Sequence, residues 1–162
     1  NSLSSVDYDY AGLSFYPYYC FSTINEASTI LSGLNISKPW FIAETSYPFS
    51  DGTWVYEEVN DAPTYNVTGG MISSSSSGTT TIYNNYSYNA TGQANLIHDL
   101  TSSVVQNNGL GIFYWEPAWI PNPYVGWASS GSSCTWSNQG FFSYDGKAIA
   151  NLDLFSQMSP HI

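Results

Sequence analysis

The sequence predicts a parallel α/β fold, because three short apolar segments alternate with segments of helical periodicity. Each apolar segment ends near a proline, and long polar loops follow the second and the third segment. The chain has 162 residues, 43% of them hydrophobic, which is enough to bury the core of one domain.

The first apolar segment, "YAGLSFY" at residues 10–16, predicts a strand that Pro17 closes. A helix is expected next, because Thr23 and Glu26 have the spacing of a capping box. Apolar residues then recur every three or four positions, at Ile24, Ala27, Ile30, Leu31 and Leu34. These residues predict one β/α unit.

The second strand is predicted from Trp40 to Glu44, an unbroken apolar segment typical of a strand that is buried on both faces. Its helix comes late, with Thr91 as the expected N-cap and Gly109 as the expected end. The apolar positions of that helix are Ala94, Ile97, Leu100 and Val104. Residues 49–90 lie between the second strand and this helix. They contain a Ser-rich tract, which predicts a glycosylated surface loop.

The third strand is predicted over Leu110 to Trp115, and a last helix is predicted in "DGKAIANLDLFSQ" from Asp145. Residues 117–140 form the second long loop. Long loops at the carboxyl ends of parallel strands are where such folds carry their sites.

Composition excludes several classes of partner. The net charge is −10, with Lys38 and Lys147 as the only basic residues besides histidine, so nucleic acid and anionic membrane surfaces are not expected to bind. Aromatic residues make up 17% of the chain, a content typical of proteins that hold flat, hydroxylated ligands such as sugars.

Cysteines and glycosylation motifs indicate a secreted, extracellular protein. Cys20 and Cys134 are far apart and have no Cys or His at ligand spacing, which favours one long-range disulfide, with two free buried cysteines as the alternative. His98 and His161 are interpreted as structural or solvent-facing residues, so no metal site is expected. Four Asn-x-Ser/Thr motifs predict glycosylation, at Asn35, Asn66, Asn85 and Asn89.

Two glutamates follow the apolar segments. Glu44 ends the second strand and Glu116 the third, where the parallel strands are expected to open into one pocket. Glu44 has no basic neighbour in the sequence to offset its desolvation, which favours a cleft with water, hydroxyls or a ligand. The alternative is that both glutamates are solvated residues at loop edges.

Two carboxylates in an aromatic cleft, without a metal or a cofactor, are typical of glycoside hydrolysis. Glu44 is the expected nucleophile, held by a phenolic hydroxyl such as that of Tyr16 on the neighbouring strand. Trp115 or Trp119 would be the flat surface on which a sugar ring stacks, and either is alternatively a core residue.

The segments "GLSFYPYY", "PWFIAETSYPFS", "TGQANLIHDL" and "GLGIFYWEPAWIP" resemble the secreted endo-β-1,4-galactanases of glycoside hydrolase family 53. The resemblance implies a (β/α)₈ barrel, the TIM fold, that hydrolyses the (arabino)galactan of plant cell walls with retention and without a cofactor. It makes Glu44 the catalytic nucleophile and Tyr16 the tyrosine beside it. It also places Trp115 and Glu116 near the bound galactosyl unit.

The resemblance includes a departure. The family's acid/base glutamate follows an asparagine on the fourth strand, whereas the Asn25-Glu26 pair of this chain lies at a predicted helix start. Residues 1–162 are therefore expected to match strands six to eight, the C-terminal part of one barrel domain. The acid/base would come from outside the chain, from an N-terminal barrel half or another copy, and the chain alone is expected to be inactive.

A different class of function also fits these residues. A non-catalytic glycoprotein, or a structural assembly subunit derived from a glycosidase half-barrel, would keep the aromatic residues to hold glycan without cleaving it. Its exposed strands would pair with neighbouring copies.

Overall fold

A computed structural model of the chain describes residues 6–21, 23–50, 53–56, 65–68, 86–118, 137–143, 146–149 and 153–158. Its helices and strands follow the predicted alternation, with an additional pair of strands after the second strand. In chain order they are β1 (Ala11–Ser14), α1 (Pro17–Cys20), α2 (Ile24–Ser32), β2 (Trp40–Thr45), β3 (Thr53–Tyr56), β4 (Tyr65–Thr68), α3 (Ala90–Gln106), β5 (Ile112–Tyr114), a 3-10 turn (Ser137–Gln139) and α4 (Leu154–Met158).

The three predicted strands form a parallel sheet in the order β1-β2-β5. The predicted parallel arrangement is therefore confirmed for these three strands. The chain divides into two compact units, of which the first contains this sheet. The first unit is Asn1–Thr45 with Asp99–Trp115, and the second is Ser46–His98 with Glu116–Ile162.

The core of the first unit lies between the sheet and its helices. Its buried members are Leu31 of α2, Trp40 and Ile42 of β2, and Leu100 and Val104 of α3. Full burial of side chains of this size contributes about 1.5–3 kcal/mol each relative to exposure. The core therefore covers one face of β2.

Gly109 allows the end of α3 to approach β2 closely. A Cβ atom at this position would lie 2.9 Å from the Trp40 ring and 2.5 Å from a Val104 methyl carbon, so a larger residue would force both side chains to move. The helix ends at Gln106, and Asn108 takes the left-handed conformation with φ 63°. The predicted end at Gly109 is close to the observed one.

The capping box of α2 is confirmed. The Thr23 hydroxyl oxygen accepts from the Glu26 backbone N–H at 3.2 Å, and the Glu26 carboxylate accepts from the Thr23 N–H at 3.3 Å. Ala27 and Leu31 are buried, whereas Ile30 is 48% exposed. The apolar stripe of α2 is thus narrower than the sequence pattern predicts.

The predicted cap of α3 is wrong by two residues. The helix begins at Ala90, and the side-chain oxygen of Asn89 accepts from the Gly92 backbone N–H at 2.8 Å. Asn89 is therefore the N-cap, and Thr91 lies inside the first turn. Both residue types cap helices well, so the sequence pattern did not distinguish them.

The loop predicted for residues 49–90 contains regular structure. β3 and β4 form an antiparallel pair in which Thr53 is opposite Thr68 and Tyr56 is opposite Tyr65. The Ser-rich tract lies outside the described residues.

The last helix is shorter than predicted. It begins at Leu154, and Ala148 instead forms an antiparallel bridge with Phe142. Gly146, with φ 75°, lies in the turn between these two residues. This local antiparallel pairing takes the place of the first part of the predicted helix.

Candidate active site

A register irregularity determines the face on which Glu44 lies. Strict alternation along β2 would put Glu44 on the face of Trp40 and Ile42, which pack in the core. The pairing with β1 instead runs from Leu13 opposite Ile42 to Ser14 opposite Glu44, so β2 has one additional residue over this step. This β-bulge turns Glu44 to the face opposite the core.

The other neighbour of β2 has the same irregularity. Ile42 is paired with Ile112 and Thr45 with Tyr114, which is three residues along β2 against two along β5. Both neighbouring strands therefore place the bulge in the two residues before Thr45. β-Bulges are frequent next to active sites, where they redirect a side chain.

Gly12 leaves room for the bulge. A Cβ atom on Gly12 would lie 3.1 Å from the Cβ of Ala43 and 3.4 Å from the ring of Phe41. Small residues at positions 12 and 43 therefore let β1 and β2 stay close where β2 bends. Beside them the rings of Phe41 and Phe113 pack with centroids 5.4 Å apart, and Phe113 is 64% exposed. Glu44 thus shares its face with exposed aromatic surface.

The Tyr16 hydroxyl donates a hydrogen bond to Glu44 Oε2 at 3.4 Å. The backbone brings the two residues together, because the Phe15 N–H donates to the Glu44 carbonyl oxygen at 2.9 Å. This side-chain bond is long and therefore weak, but it gives the carboxylate a defined neighbour on the adjacent strand. The structure thus places these two predicted site residues in contact.

More tyrosines follow Tyr16 in α1. The ring centroid of Tyr16 lies 6.2 Å from that of Tyr18 and 6.1 Å from that of Tyr19. Burial raises the pKa of the Tyr19 phenol above its ordinary value, and a hydrogen bond with Tyr18 partly offsets the shift. Tyr18 and Tyr19 therefore extend the aromatic surface beside Tyr16.

Trp115 follows β5 directly. Its backbone N–H donates to the Thr45 carbonyl oxygen at 2.8 Å, which ties it to the end of β2 one residue after Glu44. Its side chain is 36% exposed, so part of the indole is open to contact with a ligand. Trp115 therefore lies at the same end of the sheet as Glu44.

Glu116 is the first residue of the second unit after β5, and its backbone has φ 52°. This left-handed conformation is uncommon for residues other than glycine and asparagine. Such backbone strain occurs preferentially at functional sites. The observation keeps Glu116 among the candidate residues.

The second unit contains a buried polar cluster that the sequence reasoning missed. Ser46, Tyr47, Gln93, Asn138 and Gln139 are all at most 1% exposed. The Ser46 hydroxyl donates to Gln139 Oε1 at 2.7 Å. One sequence signal could have identified Gln93, because it precedes the buried Ile97 by four residues and continues the apolar stripe of α3 with a polar side chain.

The other predicted site residues are exposed or lie outside the description. Asn35 and Asn89 are exposed, in accord with a role as glycan acceptors. The side chains of Cys20 and Asn66 are not among those described. Trp119, Cys134, Asn85 and His161 lie outside the described residues, so neither the predicted disulfide nor the Trp119 platform is tested.

His98 is exposed on α3. Within the described ranges, no group of three or more His, Cys, Asp or Glu side chains is arranged to hold a metal ion. No helix in that part of the chain has the length and apolar character needed to span a bilayer.

The sequence matches a known family over nearly its whole length. The family model described as glycosyl hydrolase family 53 matches residues 2–155. An arabinogalactan endo-β-1,4-galactanase of Thermothelomyces thermophilus is 33% identical over 162 residues, covering 97% of this chain and 40% of the relative. An endo-β-1,4-galactanase of Bacillus subtilis is 30% identical, covering 95% of this chain and 39% of the relative.

Solved structures give the same result. The chain superposes on the GH53 catalytic domain of Ignisphaera aggregans with a TM-score of 0.73 and 27% identity, covering 97% of this chain and 41% of that one. It also superposes on a fungal β-1,4-galactanase with a TM-score of 0.58. The chain thus spans about two fifths of the length of the proteins that it matches.

Proposed function

Because the chain belongs to glycosyl hydrolase family 53, we propose that it is part of an endo-β-1,4-galactanase and supplies the catalytic nucleophile, Glu44. The observation that carries the proposal is the bulge in β2, which turns Glu44 away from the core at the carboxyl end of the strand. The relatives in T. thermophilus and B. subtilis are named endo-β-1,4-galactanases, which supports galactan as the substrate.

The proposed reaction is a two-step displacement with retention at the anomeric carbon. In the first step a Glu44 carboxylate oxygen attacks the anomeric carbon, while an acid protonates the departing glycosidic oxygen. In the second step water displaces Glu44 from the galactosyl ester and gives its proton to the same acid/base residue. The Tyr16 hydroxyl, 3.4 Å from Glu44 Oε2, would orient the attacking carboxylate.

The acid/base residue is proposed to lie outside this chain. A retaining glycosidase holds its two carboxyl groups about 5–5.5 Å apart. Glu26 is committed to the capping box of α2, with its carboxylate accepting from the Thr23 N–H. The chain also covers only about 40% of its relatives, which leaves most of the enzyme beyond it.

The family's galactanases are TIM barrels, and the chain is part of one such barrel. We propose that it supplies strands six to eight, as β1, β2 and β5. The outer edges of β1 and β5 would then pair with the remaining strands. The sheet face that exposes Phe113 would be covered by the same strands. The partner is thus an N-terminal barrel half or, failing that, another copy of this chain.

Substrate contacts are proposed for the aromatic residues at the carboxyl end of the sheet. Trp115 is partly exposed beside Thr45, so one indole face is available for stacking on a galactosyl ring. Glu116 and Trp119 are proposed as further contacts on the basis of the resemblance.

Secretion is proposed from the substrate and the glycosylation motifs together. Galactan of the plant cell wall lies outside cells, and the exposed side chains of Asn35 and Asn89 are accessible to a glycosyltransferase. A disulfide between Cys20 and Cys134 belongs to the same proposal.

A second candidate function is a non-catalytic glycoprotein that assembles through its sheet. Phe113 on the outer strand β5 is 64% exposed, which favours this assembly function. Uncovered aromatic surface next to a strand edge promotes association between copies. Activity of the full-length protein separates the two functions.

The substitution Glu44→Gln in the full-length protein tests the proposal. Loss of the nucleophile should reduce galactan hydrolysis by at least about 10⁴-fold without changing the fold, since the amide has nearly the shape of the carboxylate. Glu26→Gln is the matched control and should keep full activity, because glutamine also completes a capping box. Retained activity in pure Glu44→Gln protein would exclude Glu44 as the nucleophile.

A further inference from the structure

The side-chain amide of Gln93 is the centre of the buried polar cluster in the second unit. Its Nε2 donates to the carbonyl oxygens of Tyr47 at 2.8 Å, Gln139 at 3.0 Å and Gly140 at 3.2 Å. The amide nitrogen has two hydrogens for three acceptors, so at least one hydrogen is shared. A side chain from α3 thus binds two loop segments that are distant in sequence.

Only a donor with more than one hydrogen suits this position. The three acceptors of Nε2 are backbone carbonyl oxygens. Because Gln93 is fully buried, solvent water would not reach these oxygens to replace a lost donor. A carboxylate at position 93 would face three acceptors and repel them. An aliphatic side chain of the same length would leave the three carbonyl groups without this donor.

Further bonds connect the same two loops. The Phe49 N–H donates to the Asn138 carbonyl oxygen at 2.7 Å, and the Asn138 amide donates to the Ser50 carbonyl oxygen at 3.0 Å. The Ser46 hydroxyl binds Gln139 Oε1. Residues 46–50 therefore follow a fixed path along residues 138–140.

These loops continue directly from the candidate active site. Ser46 follows Glu44 by two residues along the chain, so the cluster anchors the backbone that leaves Glu44. On the other side, the Phe141 N–H donates to the carbonyl oxygen of Pro117, the residue after Glu116, at 2.7 Å. The residues that follow both strand-end glutamates are thus bound to one network around Gln93.

We propose that Gln93 is a positioning residue of the galactanase: it holds the backbone after Glu44 in register with the backbone after Glu116. The inference rests on the proposed function and adds a residue that does not touch substrate. Displacement of a catalytic group by about 1 Å costs on the order of 100-fold in rate, so loss of the anchor should lower kcat while the binding surface for galactan remains.

Gln93→Met in the full-length protein tests the proposal. It keeps the length of the side chain and removes the donor. We expect kcat on β-1,4-galactan to fall by about 10- to 100-fold, with KM changed by less than about threefold. The control is Asn95→Met, an exposed position on the same helix, which should leave both constants unchanged.

Hydrogen exchange gives a readout that does not depend on activity. In Gln93→Met the Phe49 and Phe141 amides should exchange faster together, while the Ile42 amide, bonded to Gly111 in the sheet, should keep its rate. If Gln93→Met fails to fold, Ser46→Ala removes the hydroxyl that donates to Gln139 Oε1, leaves the Gln93 amide in place, and should lower kcat by about 3- to 10-fold.

The outcomes separate the two proposals. If the wild type is active and folded Gln93→Met has the same kcat, the positioning role alone is overturned. It is also overturned if the activity of Gln93→Met falls by the same factor through a higher KM instead of a lower kcat. Unchanged exchange at Phe49 and Phe141 overturns the anchoring on which it depends. A full-length wild type that does not hydrolyse galactan overturns the proposed function, and the positioning role with it.

Discussion

The Tyr16 hydroxyl is a removable contact of Glu44, at 3.4 Å from Oε2. Because the bond is long, its loss in Tyr16→Phe should reduce kcat on galactan by about 10-fold, the low end for a hydrogen bond to a charged group. KM should stay nearly constant, because the ring remains to pack against Tyr18 and Tyr19.

Tyr10→Phe is the control for this measurement. It makes the same chemical change at a residue that is 61% exposed, and its steady-state constants should equal those of the wild type. An unchanged kcat in Tyr16→Phe would contradict the orienting role of the hydroxyl.

At the scale of residues, the sequence drew attention to a charged group, Glu44, and not to the buried amide of Gln93. Glu44 could be singled out because a charge that ends an apolar strand is unusual unless it has a function. Gln93 was missed, although its spacing of four residues from the buried Ile97 marks an inward-facing position, because only the tertiary structure shows the three carbonyl groups around it. The bulge was also missed, since it is defined by pairing with β1 and β5 and leaves no local signal in β2.

Asn89 caps α3 and is also a proposed glycan acceptor, and two substitutions separate the observed role from the proposed one. Its side-chain oxygen caps the helix, whereas N-glycosylation would use the side-chain nitrogen. Asn89→Asp keeps a capping oxygen and removes the glycan acceptor, so the free energy of unfolding should change only through the glycan. Asn89→Ala removes both and should cost about 1 kcal/mol more.

Denaturant unfolding of the two full-length variants, produced in the same eukaryotic host, measures this difference. Mass spectrometry of the wild type shows whether Asn89 carries a glycan. Equal stabilities of Asn89→Asp and Asn89→Ala would contradict the capping role.

At the scale of elements, local chemistry determined which predictions were correct. The capping box of α2 was predictable because both of its bonds connect residues three apart. The first part of the last helix was wrong because Phe142 and Ala148, six residues apart, pair in a tight antiparallel turn, which the helical spacing of the apolar residues did not reveal. The β3-β4 pair was missed because the Ser-rich tract led to one loop prediction for all of residues 49–90, although "TWVY" and "YNVT" are rich in aromatic and β-branched residues.

At the scale of the whole molecule, the chain is expected to be inactive alone. Residues 1–162, expressed without the remainder of the barrel, should not hydrolyse galactan above background, whereas the full-length protein should. The reason is the proposed location of the acid/base outside residues 1–162, together with the exposed Phe113 on the sheet, which the other strands would cover. Substantial turnover by residues 1–162 would place the acid/base within this sequence, with Glu116 as the first candidate.

The barrel itself followed from resemblance rather than from pattern. Three strands with helices between them predict a parallel α/β sheet, and the structure has that sheet. Closure into this barrel takes eight parallel strands, and the described residues form three, so their periodicity could not have predicted the closure.

The central claim, that Glu44 is the nucleophile of a retaining galactanase, is tested most directly by trapping the covalent intermediate. A 2-deoxy-2-fluoro-galactoside with a good leaving group slows hydrolysis of the galactosyl ester, so the ester accumulates on the nucleophile. The full-length protein is treated with this reagent, digested and mapped by mass spectrometry. One fluorogalactosyl group is expected on the peptide that contains Glu44; a label on another carboxylate would show that Glu44 is not the nucleophile.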